Sequence, residues 1–206
     1  MKKKIIVIFA LLTVATLLFA ACTDGPSLSD LQNINDMLKA SYSTITLTVK
    51  TKTAVTDLNG RFVMKFDGEQ TTVTYEYEKI STFEVGEDGS LSVPEGGYFI
   101  TTESGEVVVR DGEIIYGDNT VELPDELFVS GFSFKQAFFR NATVKNALFE
   151  ADVIKPQDFT GNSSLECTDM HVSVLRNVSA KSLARMDLTY TTASGAEVEL
   201  NYQFTK

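Results

Sequence analysis

Residues 185–204 read Arg185-Met186-Asp187-Leu188-Thr189-Tyr190-Thr191-Thr192-Ala193-Ser194-Gly195-Ala196-Glu197-Val198-Glu199-Leu200-Asn201-Tyr202-Gln203-Phe204. Met186, Leu188 and Tyr190 alternate with Arg185, Asp187 and Thr189, and Val198, Leu200, Tyr202 and Phe204 alternate with Glu197, Glu199, Asn201 and Gln203. A period of two marks a strand with one apolar face and one wet face. Ala193-Ser194-Gly195 supplies a turn between the two runs, so the stretch predicts a β-hairpin. Only antiparallel sheets leave one face to water in this way, since parallel strands are covered on both sides.

Working outward, the same period recurs. Met170, Val172 and Val174 alternate with His171 and Ser173; Ile45, Leu47 and Val49 alternate with threonines and Lys50; Phe62, Met64 and Phe66 follow; then Val73, Tyr75 and Tyr77. Asn59-Gly60 and Asp67-Gly68 predict hairpin turns in this meander. Further strand-like pieces at Tyr98-Phe99-Ile100, Val107-Val108-Val109 and Ile114-Ile115-Tyr116 are separated by Ser104-Gly105 and Asp111-Gly112, which read as turns. Pro94 and Pro124 belong in loops or at strand edges. Ala147 to Ile154 fits either helix or strand, and strand is the reading taken.

Two stretches break the alternation. Ser29-Asp30-Leu31-Gln32 has the form of a capping box, and Leu31, Ile34 and Leu38 follow at helical spacing, which predicts a helix over about 29–41. Leu127 to Phe159 carries seven of the fourteen phenylalanines, and Phe134, Ala137 and Phe138 predict a short helix over about 132–140. Phe128, Phe132, Phe134, Phe138 and Phe139 read either as core or as the lining of an apolar cavity. The fold class is therefore mainly β with one or two short helices, an α+β domain.

The amino terminus is of another kind. Lys2, Lys3 and Lys4 precede an uncharged apolar run from Ile5 to Ala21, which ends in Leu18-Phe19-Ala20-Ala21-Cys22 before the polar Thr23-Asp24-Gly25. A basic head, an apolar middle and small residues before a cut make a secretory signal peptide. With cysteine next, the end of the run resembles the lipobox of bacterial lipoproteins, although Phe19 stands where that pattern usually has Leu, Val or Ile. The resemblance implies cleavage before Cys22 and a diacylglyceryl group on its thiol. The expected organisation is residues 1–21 as signal peptide, 22–28 as a lipid-anchored tether, and 29–206 as a single domain. Its expected location is the outer face of the bacterial cell membrane, or the periplasmic side of the envelope.

Composition and charge exclude several functions. Without the leader, fifteen bases face 28 acids, and residues 84–126 hold twelve acids and only Arg110. Nucleic-acid binders need a basic footprint, and an acidic surface does not lie flat on anionic lipid. Once Cys22 is acylated, Cys167 is the only thiol, so no internal disulfide forms and no redox pair exists.

No cofactor is implied. His171 is the sole histidine, on the polar face of its strand, and no G-x-S-x-G motif accompanies it. His171 with Cys167 is too small a set for zinc. Glu87-Asp88 and Asp125-Glu126 are adjacent acids in turns without the spacing of a calcium loop. The acceptor triplets at Asn141, Asn162 and Asn177 are chance matches in a bacterial lipoprotein. Enzymatic function is not expected.

The order of elements resembles the half-barrel fold of periplasmic lipoprotein-carrier proteins and of mycobacterial lipid-binding lipoproteins. That resemblance lies in a lipobox, a short helix, a long meander, a phenylalanine-rich insertion and a closing hairpin. It implies a curved antiparallel sheet packed around helices, and a lipid or other apolar small molecule as ligand. A β-sandwich fits the strands nearly as well. The alternative function is an envelope interaction protein that binds a protein or glycan through loops or its acidic face.

Overall fold

The computed structural model describes residues 25–86, 89–111, 113–117, 123–124 and 127–206. The leader, Cys22 and the pairs Glu87-Asp88 and Asp125-Glu126 lie outside the described residues.

Helix α1 spans Leu28–Leu38 and buries Leu31, Ile34 and Leu38, as their spacing requires. Its cap is Ser27 rather than Ser29. The Ser27 hydroxyl accepts from the Asp30 amide at 3.2 Å, and the Asp30 carboxylate accepts from the Ser27 amide at 3.2 Å. Asp30 closes this box in place of Gln32 because its other oxygen is held by Arg176, 3.2 Å away. Pro26 is already buried. The packed body therefore includes residues before 29.

The strands are β1 Thr44–Lys52, β2 Thr56–Asp67, β3 Gln70–Ser81, β4 Glu84–Val85, β5 Leu91–Ser92, β6 Phe99–Arg110, β7 Glu113–Gly117, β8 Phe139–Lys145, β9 Leu148–Val153, β10 Cys167–Asn177, β11 Ser182–Thr192 and β12 Glu197–Thr205. A one-turn helix, α2, spans Pro156–Thr160. Ten strands form a single antiparallel sheet in the order β7-β6-β3-β2-β1-β12-β11-β10-β9-β8, and β4 with β5 makes a small separate ribbon. One sheet, not two facing sheets, rules out the sandwich. The sheet is curved and open, with β7 and β8 as its edges.

The register explains the curvature and the core. One row of facing residues runs Gly105, Tyr75, Phe62, Leu47, Tyr202, Met186, Val174, Phe149 across eight strands. Every side chain in that row is buried. The opposite face carries Thr48, Arg61, Glu76, Asn201 and Asp187, so the alternation read in the sequence becomes a covered and a wet side.

Gly60 and Gly105, read as turn residues, lie inside β2 and β6. A Cβ on Gly60 would stand 2.9 Å from the Phe62 ring, and one on Gly105 would stand 2.6 Å from the Tyr75 oxygen. Aromatic rings occupy the space left by each missing side chain, and glycine there lets the sheet bend. The first hairpin turns at Thr53 instead, whose amide donates to the Thr56 carbonyl at 2.9 Å while its hydroxyl accepts from the Val55 and Thr56 amides. Asp67-Gly68 does turn the chain, with Gly68 at φ +63° and Asp67 paired to Gln70.

The expected helix over 132–140 is absent. A 3₁₀ turn at Gln136–Phe138 stands in its place, another at Val129–Gly131 precedes it, and Phe139 opens β8. The Asn35 side chain explains the difference. It donates to the Phe134 carbonyl and accepts from the Phe134 amide, both at 2.8 Å, which takes the carbonyl a helix would offer to the Phe138 amide. This segment and α1 cover the apolar face, burying Leu127, Phe132, Phe134 and Phe138 against it.

Candidate functional site

Phe132, Phe134, Phe138 and Phe139 are buried in the core. Phe134 touches Phe139, Phe149 and Phe159 at centroid distances of 5.5, 5.5 and 5.2 Å, and Phe132 meets Tyr202 edge-on at 5.8 Å. Such edge-to-face packing is what aromatic quadrupoles favour in a filled interior.

Phe128 differs. It is only partly buried, and it lines an open cleft of about 530 Å³ with Leu38, Tyr42, Ile45, Met64 and Phe66. That volume falls in the usual range for small-molecule sites.

Three pieces of chain meet to make the cleft. Helix α1 stops at Leu38 and leaves Lys39 as its cap. The β2–β3 turn at Gly68 ends the strand beneath it, and Val129–Gly131 closes the far side. Ile45 and Met64, facing each other across β1 and β2, form a dry floor. Phe66 at the wall remains 39% exposed. Lys39, Ser41 and Ser130 supply polar groups beside this apolar surface.

Tyr42 fixes the wall. Its hydroxyl donates to the Met37 carbonyl at 2.7 Å and accepts from the Leu183 amide at 2.8 Å, tying the end of α1 to β11. Its ring leans on Phe204 at 5.0 Å. Burial pushes the phenol above its ordinary pKa, only partly offset by the Leu183 amide, so Tyr42 is neutral at physiological pH.

The sequence singles out Phe128 through the phenylalanine cluster. It does not single out Tyr42, Ile45, Met64 or Phe66, which read as ordinary strand or post-helix residues. The one available signal was Phe66, an aromatic next to the Asp67-Gly68 turn, where a strand end has little left to cover it.

His171 lies on the wet face. Its Nδ1 is 3.1 Å from Asp152, which also accepts from the Asn141 side chain at 2.7 Å and lies 3.7 Å from the Arg140 guanidinium. The Asn141 hydrogen bond, then that of His171, holds the Asp152 carboxyl below its ordinary value. Arg140 and His171 face Asp152 from the two neighbouring strands, so the group is a set of cross-strand pairs. Cys167 is half-buried against the core.

Among the described residues, no group of three or more His, Cys, Asp or Glu could hold a metal ion. No helix among them is long and apolar enough to cross a membrane. No protein-family model matches the chain, and no match was found among curated proteins.

Proposed function

We propose that this is a lipid-anchored envelope protein without catalytic activity, which holds an apolar chain in the cleft between α1, the β2–β3 turn and Phe128. The observation that carries the reading is Phe66: a large aromatic left 39% exposed in a concave wall, directly beside the dry floor of Ile45 and Met64. An apolar ligand removes that surface from water, at about 25 cal/mol per Å² covered. The ligand site lies at one end of the sheet, because α1 and the phenylalanine segment already fill the rest of the covered face. Lys39 beside the cleft favours a ligand with an anionic head, such as a fatty acid.

Helix α1 runs about 16 Å, at 1.5 Å per residue over its eleven residues, from Leu28 to the cleft at Leu38. Diacylglyceryl on Cys22 would hold the body at a membrane. Two acyl chains bind stably where one is marginal.

Titration of the full chain with a fluorescent fatty acid tests the ligand site. Saturable binding, weakened at least tenfold by Phe66→Asp, is expected, and binding indifferent to that change removes the proposal. Detergent phase partitioning tests the anchor: Cys22→Ala should move the protein from the detergent to the aqueous phase.

A further inference from the structure

Several ends of the chain converge at one corner of the sheet. Arg176, near the end of β10, donates to Asp30 in the first turn of α1 at 3.2 Å and to the Asn146 carbonyl in the β8–β9 turn at 3.0 Å. It is followed by the β10–β11 turn, where residues 177–181 are all exposed. The end of β12 reaches the same turn, and the Lys206 Nζ donates to the Ala180 carbonyl at 2.7 Å. The described chain also starts beside β8: a Cβ on Gly25 would stand 4.0 Å from the Ala142 carbonyl.

This corner exposes apolar and basic side chains. Leu28 and Val178 are 73% and 62% exposed. Lys145, Lys181 and Lys206 are exposed at the end of β8, in the β10–β11 turn and after β12. The one acid in the first turn of α1, Asp30, is held by Arg176 and the Ser27 hydroxyl. The last row of the wet face before these turns runs Leu148, Leu175, Arg185, Gln203, Thr46 and Val63, and holds no acid. Toward the opposite ends of the strands, one row runs Thr189, Glu199, Lys50, Asn59 and Glu78, and the next Thr191, Glu197, Lys52 and Asp57. The acids thus collect at the far end, a segregation that the chain's net charge conceals. The β2–β3 turn carries Asp67 and Glu69, so the basic area stays on the β8–β12 side.

These side chains select the occupant. A second copy meeting the same corner would bring lysines against lysines, which disfavours the contact. Anionic headgroups attract the lysines, and the acyl boundary beneath them accepts exposed apolar residues. We propose that the corner made by the β8–β9 turn, the β10–β11 turn, Lys206 and the first turn of α1 rests on an anionic lipid bilayer, with Val178 entering the interface. The inference rests on the lipid anchor proposed above, and adds to it the face that meets the membrane and the charge of the lipid. The acidic far ends of the strands are repelled by the same surface and point away from it.

The chain has no tryptophan, so a single introduced one reports its own surroundings. The test uses the full chain with Val178→Trp, or with Val55→Trp in the β1–β2 turn at the far end. Each is reconstituted into vesicles of phosphatidylcholine and phosphatidylglycerol with brominated acyl chains, which quench only an indole near the acyl region. Quenching several times stronger at position 178 than at 55 is expected. It should drop to the level at 55 in phosphatidylcholine alone, at high salt, and in the added double variant Lys145→Glu, Lys181→Glu. In the unsubstituted chain, amide exchange of residues 177–181 should slow on the anionic vesicles. Equal quenching at the two positions, in a chain that floats with the vesicles, overturns this proposal and leaves the anchor standing. Quenching at 178 that is indifferent to lipid charge and salt also overturns it. A chain that floats with neither kind of vesicle overturns both readings, and detergent partitioning of Cys22→Ala tests the anchor alone.

Discussion

Arg176 is 8% exposed, and three oxygens surround it: Asp30 at 3.2 Å, the Asn146 carbonyl at 3.0 Å and the Ala147 carbonyl at 3.4 Å. It ties the start of α1 to the β8–β9 turn. Arg176→Leu leaves those acceptors without their cation and should lower stability by about 2–3 kcal/mol in urea unfolding, the range for a buried charged hydrogen bond. Asp30 is held below its ordinary 3.8 chiefly by the Ser27 hydroxyl, with Arg176 adding to the effect against the cost of burial. A carboxyl lowered on folding stabilises the folded chain above its unfolded value, and that contribution is lost as pH falls through the folded value. Asp152 acts in the same direction. The melting temperature should therefore fall below about pH 4, and Asp30→Asn should flatten that fall. Gly131 shows the limits of sequence at this scale. A Cβ there would stand 2.5 Å from the Thr160 carbonyl, a backbone atom with no rotamer to escape into. Gly131→Ala should cost about 1–3 kcal/mol in the same measurement. Nothing near Gly131 in the chain announces Thr160, just as nothing near Gly105 announces the ring of Tyr75.

Elements were legible where their pattern is local. The hairpin of β11 and β12 was readable from its alternation and its turn, whereas the stretch that forms β9 fitted helix or strand on its sequence alone. α1 was readable as a helix, but its cap shifted to Ser27 because a partner 146 residues away, Arg176, holds Asp30. The phenylalanine segment was read as helix because Phe134, Ala137 and Phe138 have helical spacing. Asn35, on another element, overrode that propensity. Asn35→Ala should release Phe134 and raise amide exchange across 132–138, with a stability loss of about 1–3 kcal/mol for the two lost hydrogen bonds. The cleft was largely hidden for the same reason. Phe128 stood out in the sequence, whereas Tyr42, Ile45, Met64 and Phe66 gain meaning only when a helix end, a turn and a 3₁₀ segment converge.

At the scale of the molecule, fold class was legible and topology was not. Alternation states that strands are half-buried, but not that the first lies in the middle. The chain runs outward from β1 to β7, crosses to the opposite edge, and returns through β8 to β12. β1 and β12 meet along nine residue pairs, from Thr44 with Thr205 to Lys52 with Glu197, and the Ser43 amide donates to the Thr205 carbonyl at 2.9 Å. During synthesis this placement imposes a waiting period. The earlier half emerges with one side of its innermost strand bare, and nothing upstream of residue 197 can satisfy it. Contacts this distant in sequence make for slow folding, on the order of milliseconds to seconds. A nascent chain stalled before residue 197 should remain open to limited proteolysis, and extension through Thr205 should confer resistance in one step. The last strand acts as the clasp that makes two halves one body.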